Sequence, residues 1–196
     1  MLREKLQHKR IILASGSPRR QQFLRELDID FTIQLKEVEE IYPNHLHASE
    51  ITIFLAELKA NAFDLLEENE ILITSDTIVW HENKALGKPK DAQEAFEMLQ
   101  TLSGKTHEVI TSVCFKTKNS LDTITETTKV TFNSLSDEAI RYYIETYKPF
   151  DKAGSYGIQE WIGLVGIAKI EGSYTNVVGL PVDKVYQKLI HYVEIY

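Results

Sequence analysis

A short apolar run that leads directly into a helix start is the feature that most constrains how this chain folds. Residues 11–14 are all apolar, and Ser17 and Pro18 follow them closely. Serine is favoured at the N-cap of a helix, and proline is favoured at the first helical position. The sequence therefore predicts a buried strand over 11–14 and a helix from 18 to about 28.

Strands and helices continue to alternate along the chain. From apolar periodicity we predict helices over about 50–67, 91–102, 136–147 and 181–196. We predict strands over 31–35, 71–73, 78–80, about 106–117, about 122–133 and 163–170. The alternation indicates an α/β fold, and the paired runs after residue 105 indicate a mixed sheet. With 196 residues and no linker-like break in composition, we expect a single domain over 1–196, with room for two lobes.

Charge and cysteine content exclude several classes of protein. The chain has 22 basic and 29 acidic residues, a net charge of −7, which argues against a nucleic-acid or anionic-membrane binder. A phosphate ligand stays open, because a local basic cluster or a divalent cation reverses the field within one site. The single cysteine, Cys114, excludes an internal disulfide framework, and its apolar neighbours predict a core thiol. No apolar run has the length of a membrane helix, and the run at 11–14 is too short for a signal peptide. We expect a cytoplasmic protein.

Several common motifs are absent or incomplete. Gly104-Lys105-Thr106 resembles the end of a phosphate-binding P-loop, but the glycine required five residues earlier is Leu99. Neither the dinucleotide fingerprint nor the nucleophile elbow of serine hydrolases occurs. His45 and His47 lie in a polar stretch without a third ligand, which favours a solvated loop over a metal site.

The strongest candidate for chemistry is the stretch Ser15-Gly16-Ser17-Pro18-Arg19-Arg20. A helix N-terminus offers unpaired N–H groups and the positive end of the helix dipole, which together bind phosphate. The two hydroxyls and two guanidinium groups add donors for phosphate oxygens. An ordinary helix start with surface arginines fits the same residues, and this stretch alone does not separate the two interpretations.

Other candidates carry the charges that phosphate chemistry requires. Asp76 follows an apolar strand, where burying a carboxylate is costly unless it serves chemistry or a metal. Lys88 follows a predicted hairpin, and Lys59 lies within the second predicted helix, where a plain surface lysine is the alternative. One of the clustered glutamates could join Asp76 around a hard cation, and a solvated acidic loop is the alternative for them; these are Glu37, Glu39 and Glu40.

Several short stretches of the sequence match one known family. They are Ser15–Arg20, Glu37–Glu40, Leu55-Ala56 with Lys59-Ala60, Ser75–Thr77, Leu86–Pro89, Leu102–His107, Asp151–Gln159, Gly172–Tyr174 and Val178–Pro181. In this order along the chain they resemble the Maf family of nucleoside triphosphate pyrophosphatases, from Ile11 to about Leu189. Each stretch alone is modest, and their combination in the right order is highly specific.

The resemblance implies a fold and a reaction. The fold would be that of the inosine triphosphate pyrophosphatases: an elongated mixed β-sheet flanked by helices, with two lobes around a central cleft. The reaction would be attack of water on the α-phosphorus of a nucleoside triphosphate, giving the monophosphate and pyrophosphate. The implied divalent cation is Mg²⁺, with Mn²⁺ as a natural substitute. A homodimer is an expectation at the level of the family.

The resemblance also implies roles for individual residues. Asp76 matches the acidic residue that accepts a proton or holds the metal, and the sequence does not decide between these roles. Glu39 matches a metal or water partner. The residues implied to bind substrate are Ser15, Ser17, Arg19, Arg20, Lys59, Thr77, Lys88 and Gln159.

Three of these positions point to a base preference. Arg19, Thr77 and Gln159 resemble the residues of the branch of this family that acts on dTTP and UTP. A glutamine has both a donor and an acceptor, so it could hydrogen-bond the imide edge of uracil or thymine. Glu160 departs from the glycine that is common in the family after this glutamine, and its extra carboxylate could alter the preference. The alternatives are the same reaction on a modified purine nucleotide such as 7-methyl-GTP, and a non-catalytic nucleotide-binding regulator of cell division.

Overall fold

The computed structural model describes residues 1–194, so the last two residues of the helix predicted over 181–196 lie outside the described part. The helices are α1 Leu2–Lys5, α2 Pro18–Glu26, α3 Ser49–Asn61, α4 Ala92–Leu102, α5 Asp137–Tyr147, α6 Trp161–Gly166, α7 Tyr174–Val178 and α8 Val182–Glu194. The strands are β1 Arg10–Leu13, β2 Phe31–Ile33, β3 Glu70–His81, β4 Lys84–Leu86, β5 Thr106–Lys116, β6 Leu121–Phe132 and β7 Ile167–Glu171. A short 3₁₀ turn covers Ala153–Ser155.

The strands form a mixed sheet, as predicted. Over residues 1–194 it has seven strands in the order β2-β1-β3-β5-β6-β7, with β4 beside β3. β1 is parallel to both β2 and β3, whereas β4 is antiparallel to β3 and β7 is antiparallel to β6. Within the described residues, no helix is both long enough and apolar enough to cross a bilayer.

Contacts divide the chain into two compact units. Unit 1 consists of Met1–Asp76, Thr111–Glu126 and the segment that begins at Gly179. Unit 2 consists of Thr77–Ile110 and Thr127–Val178. The expectation of a single domain and of a cleft between lobes stays a prediction.

Unit 1 buries both faces of β1, which explains its uninterrupted apolar sequence. Ile11 and Leu13 pack in a cluster with Val185 and Leu189 of α8. Ile12 packs on the other face with residues of α3 and with Cys114. Burial raises the pKa of the Cys114 thiol to about 11, so the thiol is protonated at neutral pH and forms part of the core, as predicted.

Unit 2 packs α4 and α5 against its strands. Leu99 and Leu102 of α4 and Ile140 and Tyr143 of α5 lie in one apolar cluster. Both helices begin at side-chain caps: the Asp91 carboxylate accepts from the N–H of Glu94, and the Ser136 hydroxyl accepts from the N–H of Ala139. The cluster also holds Val79, so it joins the helices to β3.

Several predicted boundaries are wrong, including the end of the strand predicted over 31–35, which is at Ile33. β3 continues from Glu70 to His81 without the predicted break around residues 74–77, because two of the polar side chains there, Thr74 and Asp76, are hydrogen-bonded to α3. For example, the Thr74 hydroxyl donates to the Ala56 carbonyl at 2.6 Å. α3 ends at Asn61 rather than near 67, and the strand predicted over 163–170 begins at Ile167 because the residues before it form α6.

Gly154 occupies a position that only glycine fills without strain. Its φ is +66°, and a Cβ there would lie 2.7 Å from Cγ2 of the buried Val79. We expect Gly154→Ala to lower the free energy of unfolding by about 3 kcal/mol, from backbone strain together with overpacking. Urea unfolding measures this, with Gly87→Ala as the matched control, because a Cβ at Gly87 meets nothing within 4 Å. Equal stability of the two variants would contradict the prediction.

We expect His107 to make the stability of the protein depend on pH. Its ring Nε2 lies 2.7 Å from the Tyr156 hydroxyl, and burial, with a smaller effect of His81, lowers the pKa of His107 to about 3. Between that value and the ordinary 6.5, the unfolded chain binds a proton that the folded chain does not, so stability falls as pH falls. From pH 7 to pH 5 we expect His107 to account for a loss of about 2 kcal/mol.

The contribution of His107 is measured by urea unfolding at both pH values. His107→Gln should show a correspondingly smaller loss between pH 7 and pH 5 than the wild type. His8→Gln is the control, because His8 is exposed in the same chain. The same pH dependence in His107→Gln and the wild type would show that this imidazole is not held neutral.

Candidate active site

The junction between β1 and α2 forms the first part of the candidate site, in unit 1. Ser17 is the N-cap of α2, and its hydroxyl accepts from the N–H of Arg20. Ser15 is buried, and its Oγ accepts from the N–H of Ser17 at 3.3 Å. The predicted strand-to-helix junction is therefore present, with the N–H groups of the first helical turn beside two hydroxyls.

Arg20 ties this junction to two other segments of unit 1. Its Nε donates to the Gly179 carbonyl at 2.8 Å, and its Nη1 donates to the Ser75 carbonyl at 3.2 Å and to Ser15 Oγ at 3.4 Å. Burial lowers the pKa of Arg20 to about 10, and the charge of Asp76 partly offsets this effect, so the guanidinium stays positive at neutral pH. Arg20 therefore fixes the backbone next to Asp76.

Asp76 lies in β3 rather than at the end of a strand. Its side chain is 9% exposed, and its Oδ1 accepts from Lys59 Nζ at 2.7 Å. Lys59, in α3, also lies 3.0 Å from Oε1 of Glu40. Lys59 is thus not the surface lysine that the sequence left open, because its ammonium lies between two carboxylates.

Two carboxylates around one positive charge are compatible with a divalent cation. Asp76 and Glu40 both present oxygen ligands, which Mg²⁺ prefers, and Mg²⁺ needs few protein ligands when phosphate oxygens complete its shell. Among residues 1–194, no group of three or more His, Cys, Asp or Glu side chains is arranged to hold a metal by itself. The glutamate that contacts Lys59 is Glu40, whereas the metal role of Glu39, which is exposed, stays a prediction.

Unit 2 carries the remaining predicted residues. Thr77 is half-buried in β3, and Lys88 is exposed after β4. The Gly154 N–H donates to the Gly87 carbonyl at 3.1 Å, which joins the segment of Lys88 to the segment that leads to Gln159. Gln159 is exposed. Arg19, in unit 1, lies half-buried on the first turn of α2, where its charge contributes to lowering the pKa of Arg20.

The residue after Gln159 has partners that the sequence did not reveal. The Glu160 carboxylate accepts a hydrogen bond from the Tyr143 hydroxyl, and its Oε1 lies 3.1 Å from Lys152 Nζ. The sequence singled out Glu160 as unusual but gave no sign of Tyr143, which reads as an ordinary core residue of an amphipathic helix. Lys152 lies in a matching stretch, but its 8% exposure is set by tertiary packing.

Comparison with known proteins agrees with this arrangement of motifs. The family model described as Maf-like protein matches residues 10–192. A relative from Flavobacterium johnsoniae called dTTP/UTP pyrophosphatase is 67% identical over 190 residues, covering 96% of this chain and 98% of the relative. A relative of the same name from Flavobacterium psychrophilum is 65% identical, covering 98% of this chain and 99% of the relative.

A solved structure of a HAM1 protein from Coxiella burnetii has a TM-score of 0.46 and 15% identity, covering 93% of this chain and 99% of that chain. The family model spans nearly the whole chain, and the two named relatives match it at about two thirds identity. From the sequence motifs and these matches, the chain belongs to the Maf-like protein family.

Proposed function

We propose that this protein is a nucleoside triphosphate pyrophosphatase that hydrolyses dTTP and UTP to the monophosphate and pyrophosphate. The observation that carries the proposal is the 67% identity to a relative named dTTP/UTP pyrophosphatase, over 96% of this chain. The buried contact between Asp76 and Lys59 supports it, because a reactive carboxylate beside a cation suits attack on a phosphate.

In this proposal, the positive groups neutralise the triphosphate. The N-terminus of α2 and the hydroxyls of Ser15 and Ser17 donate hydrogen bonds to phosphate oxygens. Arg19, Lys59 and Lys88 add charges that stabilise the leaving pyrophosphate. Arg20 is already bonded to two backbone carbonyls, so it contributes charge while holding the junction in place.

Asp76 accepts the proton of the attacking water at its carboxylate, or it would hold a divalent cation beside that water. Asp76 with Glu39 or Glu40 would hold Mg²⁺ or Mn²⁺, which when bound supplies charge neutralisation on the phosphates.

Activity should be lost in EDTA and restored by added Mg²⁺ or Mn²⁺. Activity that persists in EDTA would remove the metal from the proposal.

Base preference is assigned to Gln159, with Thr77 and Arg19. A glutamine carboxamide presents one acceptor and two donors. It therefore suits the edge of uracil and thymine on which the N3–H donor lies between two carbonyl acceptors. A site built around such hydrogen bonds rejects a base that leaves its groups unpaired.

The experiment that tests the proposal is pyrophosphate release from dTTP, UTP, CTP, ATP, GTP and 7-methyl-GTP with Mg²⁺, with Asp76→Asn as the inactive control. Release from dTTP and UTP that is lost in the variant supports the reaction and the base preference. Release only from a purine nucleotide would keep the reaction and overturn the base preference. Nucleotide binding without any release would favour a non-catalytic regulator.

The setting of this activity is also proposed. We infer a cytoplasmic enzyme, supported by a lone buried thiol, and no nucleic-acid partner, supported by the net charge of −7.

We infer a homodimer as well; light scattering coupled to size exclusion tests it, and the mass of a monomer at all concentrations would contradict it. The inference of a homodimer is supported by β7, because this strand is the last in the strand order and four of its five residues are exposed.

A further inference from the structure

A network of side chains around the Glu160 carboxylate lies directly beside Gln159 in unit 2. The Tyr143 hydroxyl donates to Oε2 of Glu160, and the same hydroxyl accepts from the N–H of Gly157 at 2.9 Å. Lys152 Nζ lies 3.1 Å from the other oxygen, Oε1 of Glu160. Both oxygens of Glu160 are therefore held by partners from separate segments, α5 and the loop before the 3₁₀ turn.

The burial of this network fixes the position of the carboxylate. The side chains of Lys152 and Glu160 are 9% and 19% exposed. A charge with so little access to water stays in place only where its partners are satisfied, so breaking either contact is costly. Burial, and then the hydrogen bond to Glu160, raise the pKa of Tyr143 far above its ordinary value, so its phenol is always available as a donor. Glu160 is thus a rigid negative charge.

Gly157 brings this charge next to the amide of Gln159. A Cβ at Gly157 would lie 2.8 Å from Nε2 of Gln159 and 3.0 Å from Oε2 of Glu160. Gln159 Nε2 and Glu160 Oε2 therefore both lie close to the position that a Cβ of Gly157 would take. A fixed carboxylate attracts the N–H end of a neighbouring amide and repels its oxygen, so the charge of Glu160 favours the orientation that is present.

We propose that Glu160 is a positioning residue for base selection, which holds the amide of Gln159 with its nitrogen turned toward Gly157 and its Oε1 left for the ligand. The proposal rests on the proposed function and names the chemistry of its specificity. An amide oxygen accepts from the N3–H of uracil or thymine, whereas N3 of cytosine has no hydrogen to donate. Glu160 thus acts through Gln159 and does not itself touch the base.

The test compares the binding of UMP and CMP by calorimetry, together with kcat and KM for UTP and CTP. Glu160→Gln keeps an acceptor for Tyr143 but removes the charge, so the amide of Gln159 is free to turn over. We expect the preference for UMP over CMP to fall about tenfold, with a matching change in KM and a kcat for UTP within about threefold of the wild type. Glu145→Gln is the matched control, because Glu145 is an exposed glutamate of α5 in the same unit.

A second background shows whether the effect passes through Gln159. In Gln159→Met the amide is absent, so adding Glu160→Gln should leave the UMP to CMP ratio unchanged. If Glu160→Gln does not fold, Tyr143→Phe serves instead, since it removes one of the bonds that fix the carboxylate and should lower the ratio by a smaller factor.

Three outcomes overturn the inference. One is a preference for UMP over CMP that is the same as in the wild type in folded Glu160→Gln, or in Tyr143→Phe if that variant replaces it. Another is the same effect of Glu160→Gln in the Gln159→Met background. The third is a wild type that binds UMP and CMP equally or binds neither. Failure of the proposed function has a different signature, because nucleotide binding would then discriminate without any release of pyrophosphate.

Discussion

Asp76→Asn is expected to lower kcat for UTP by about 10³-fold while leaving the fold intact. Asparagine matches the size of aspartate, but it cannot accept a proton and it is a poor ligand for Mg²⁺, so both proposed roles of Asp76 are lost together. Lys59 keeps the Glu40 carboxylate 3.0 Å away, so its ammonium is not left without an anion. Initial rates of pyrophosphate release measure the effect, and urea unfolding checks the fold.

The control for this variant is Asp64→Asn. Asp64 belongs to the same unit, and its side chain is 95% exposed in a pair with Lys36. Its replacement should change neither rate nor stability measurably, because exposed pairs contribute little. An Asp76→Asn protein that retains more than about a tenth of the wild-type rate would remove Asp76 from the chemistry.

Arg20→Met is expected to lower the stability of the protein strongly, because the Arg20 guanidinium donates to three acceptors in unit 1. Methionine fills part of the volume but leaves the carbonyls of Gly179 and Ser75 and the hydroxyl of Ser15 without this donor. Charged hydrogen bonds of this kind contribute about 1.5–3 kcal/mol each, and they are not additive, so we expect a total loss of about 4 kcal/mol. The melting temperature should fall by about 10 °C.

Arg3→Met provides the comparison for Arg20→Met. Arg3 belongs to the same unit, and it pairs with Asp30 at 3.2 Å with 61% of its side chain exposed. Its replacement should cost no more than about 0.5 kcal/mol. If Arg20→Met melts at the same temperature as Arg3→Met, the bonds of Arg20 do not hold the junction together.

Local signals were sufficient for the parts of the fold that depend on neighbouring residues. The apolar run before Ser17 predicts β1, and the Ser17-Pro18 pair predicts the start of α2, because capping is a property of a few adjacent residues. The end of α4 carries the same kind of local signal, because Gly104, two residues after its last residue, has a φ of +70°, which glycine adopts without strain.

The boundaries that failed depend on distant partners. α3 ends at Asn61, and the carbonyls beyond it are taken by lysines far along the chain: Lys116 donates to the Phe63 carbonyl at 2.6 Å, and Lys36 to the Ala62 carbonyl at 2.8 Å. The apolar run at 161–170 fits a helix or a strand equally well, so periodicity could not place the change at Ile167.

The candidate site divides in the same way. The sequence identified Asp76 and Lys59 as residue types suited to phosphate chemistry, but their contact joins α3 to β3 and required the fold. It also singled out a cluster of glutamates without indicating that Glu40 would be the one beside Lys59. The partners of Glu160 were hidden for the same reason, since Tyr143 lies in a helix whose pattern indicates only burial.

The division of unit 1 among separate chain segments affects how the protein is made. The cluster that buries Ile11 and Leu13 needs Val185 and Leu189 from α8. A ribosome adds about 5–20 residues per second, so α8 is synthesised several seconds to tens of seconds after β1. During that interval the face of β1 that carries Ile11 and Leu13 lacks its α8 partners, so we expect chaperones that shield nascent chains to bind there.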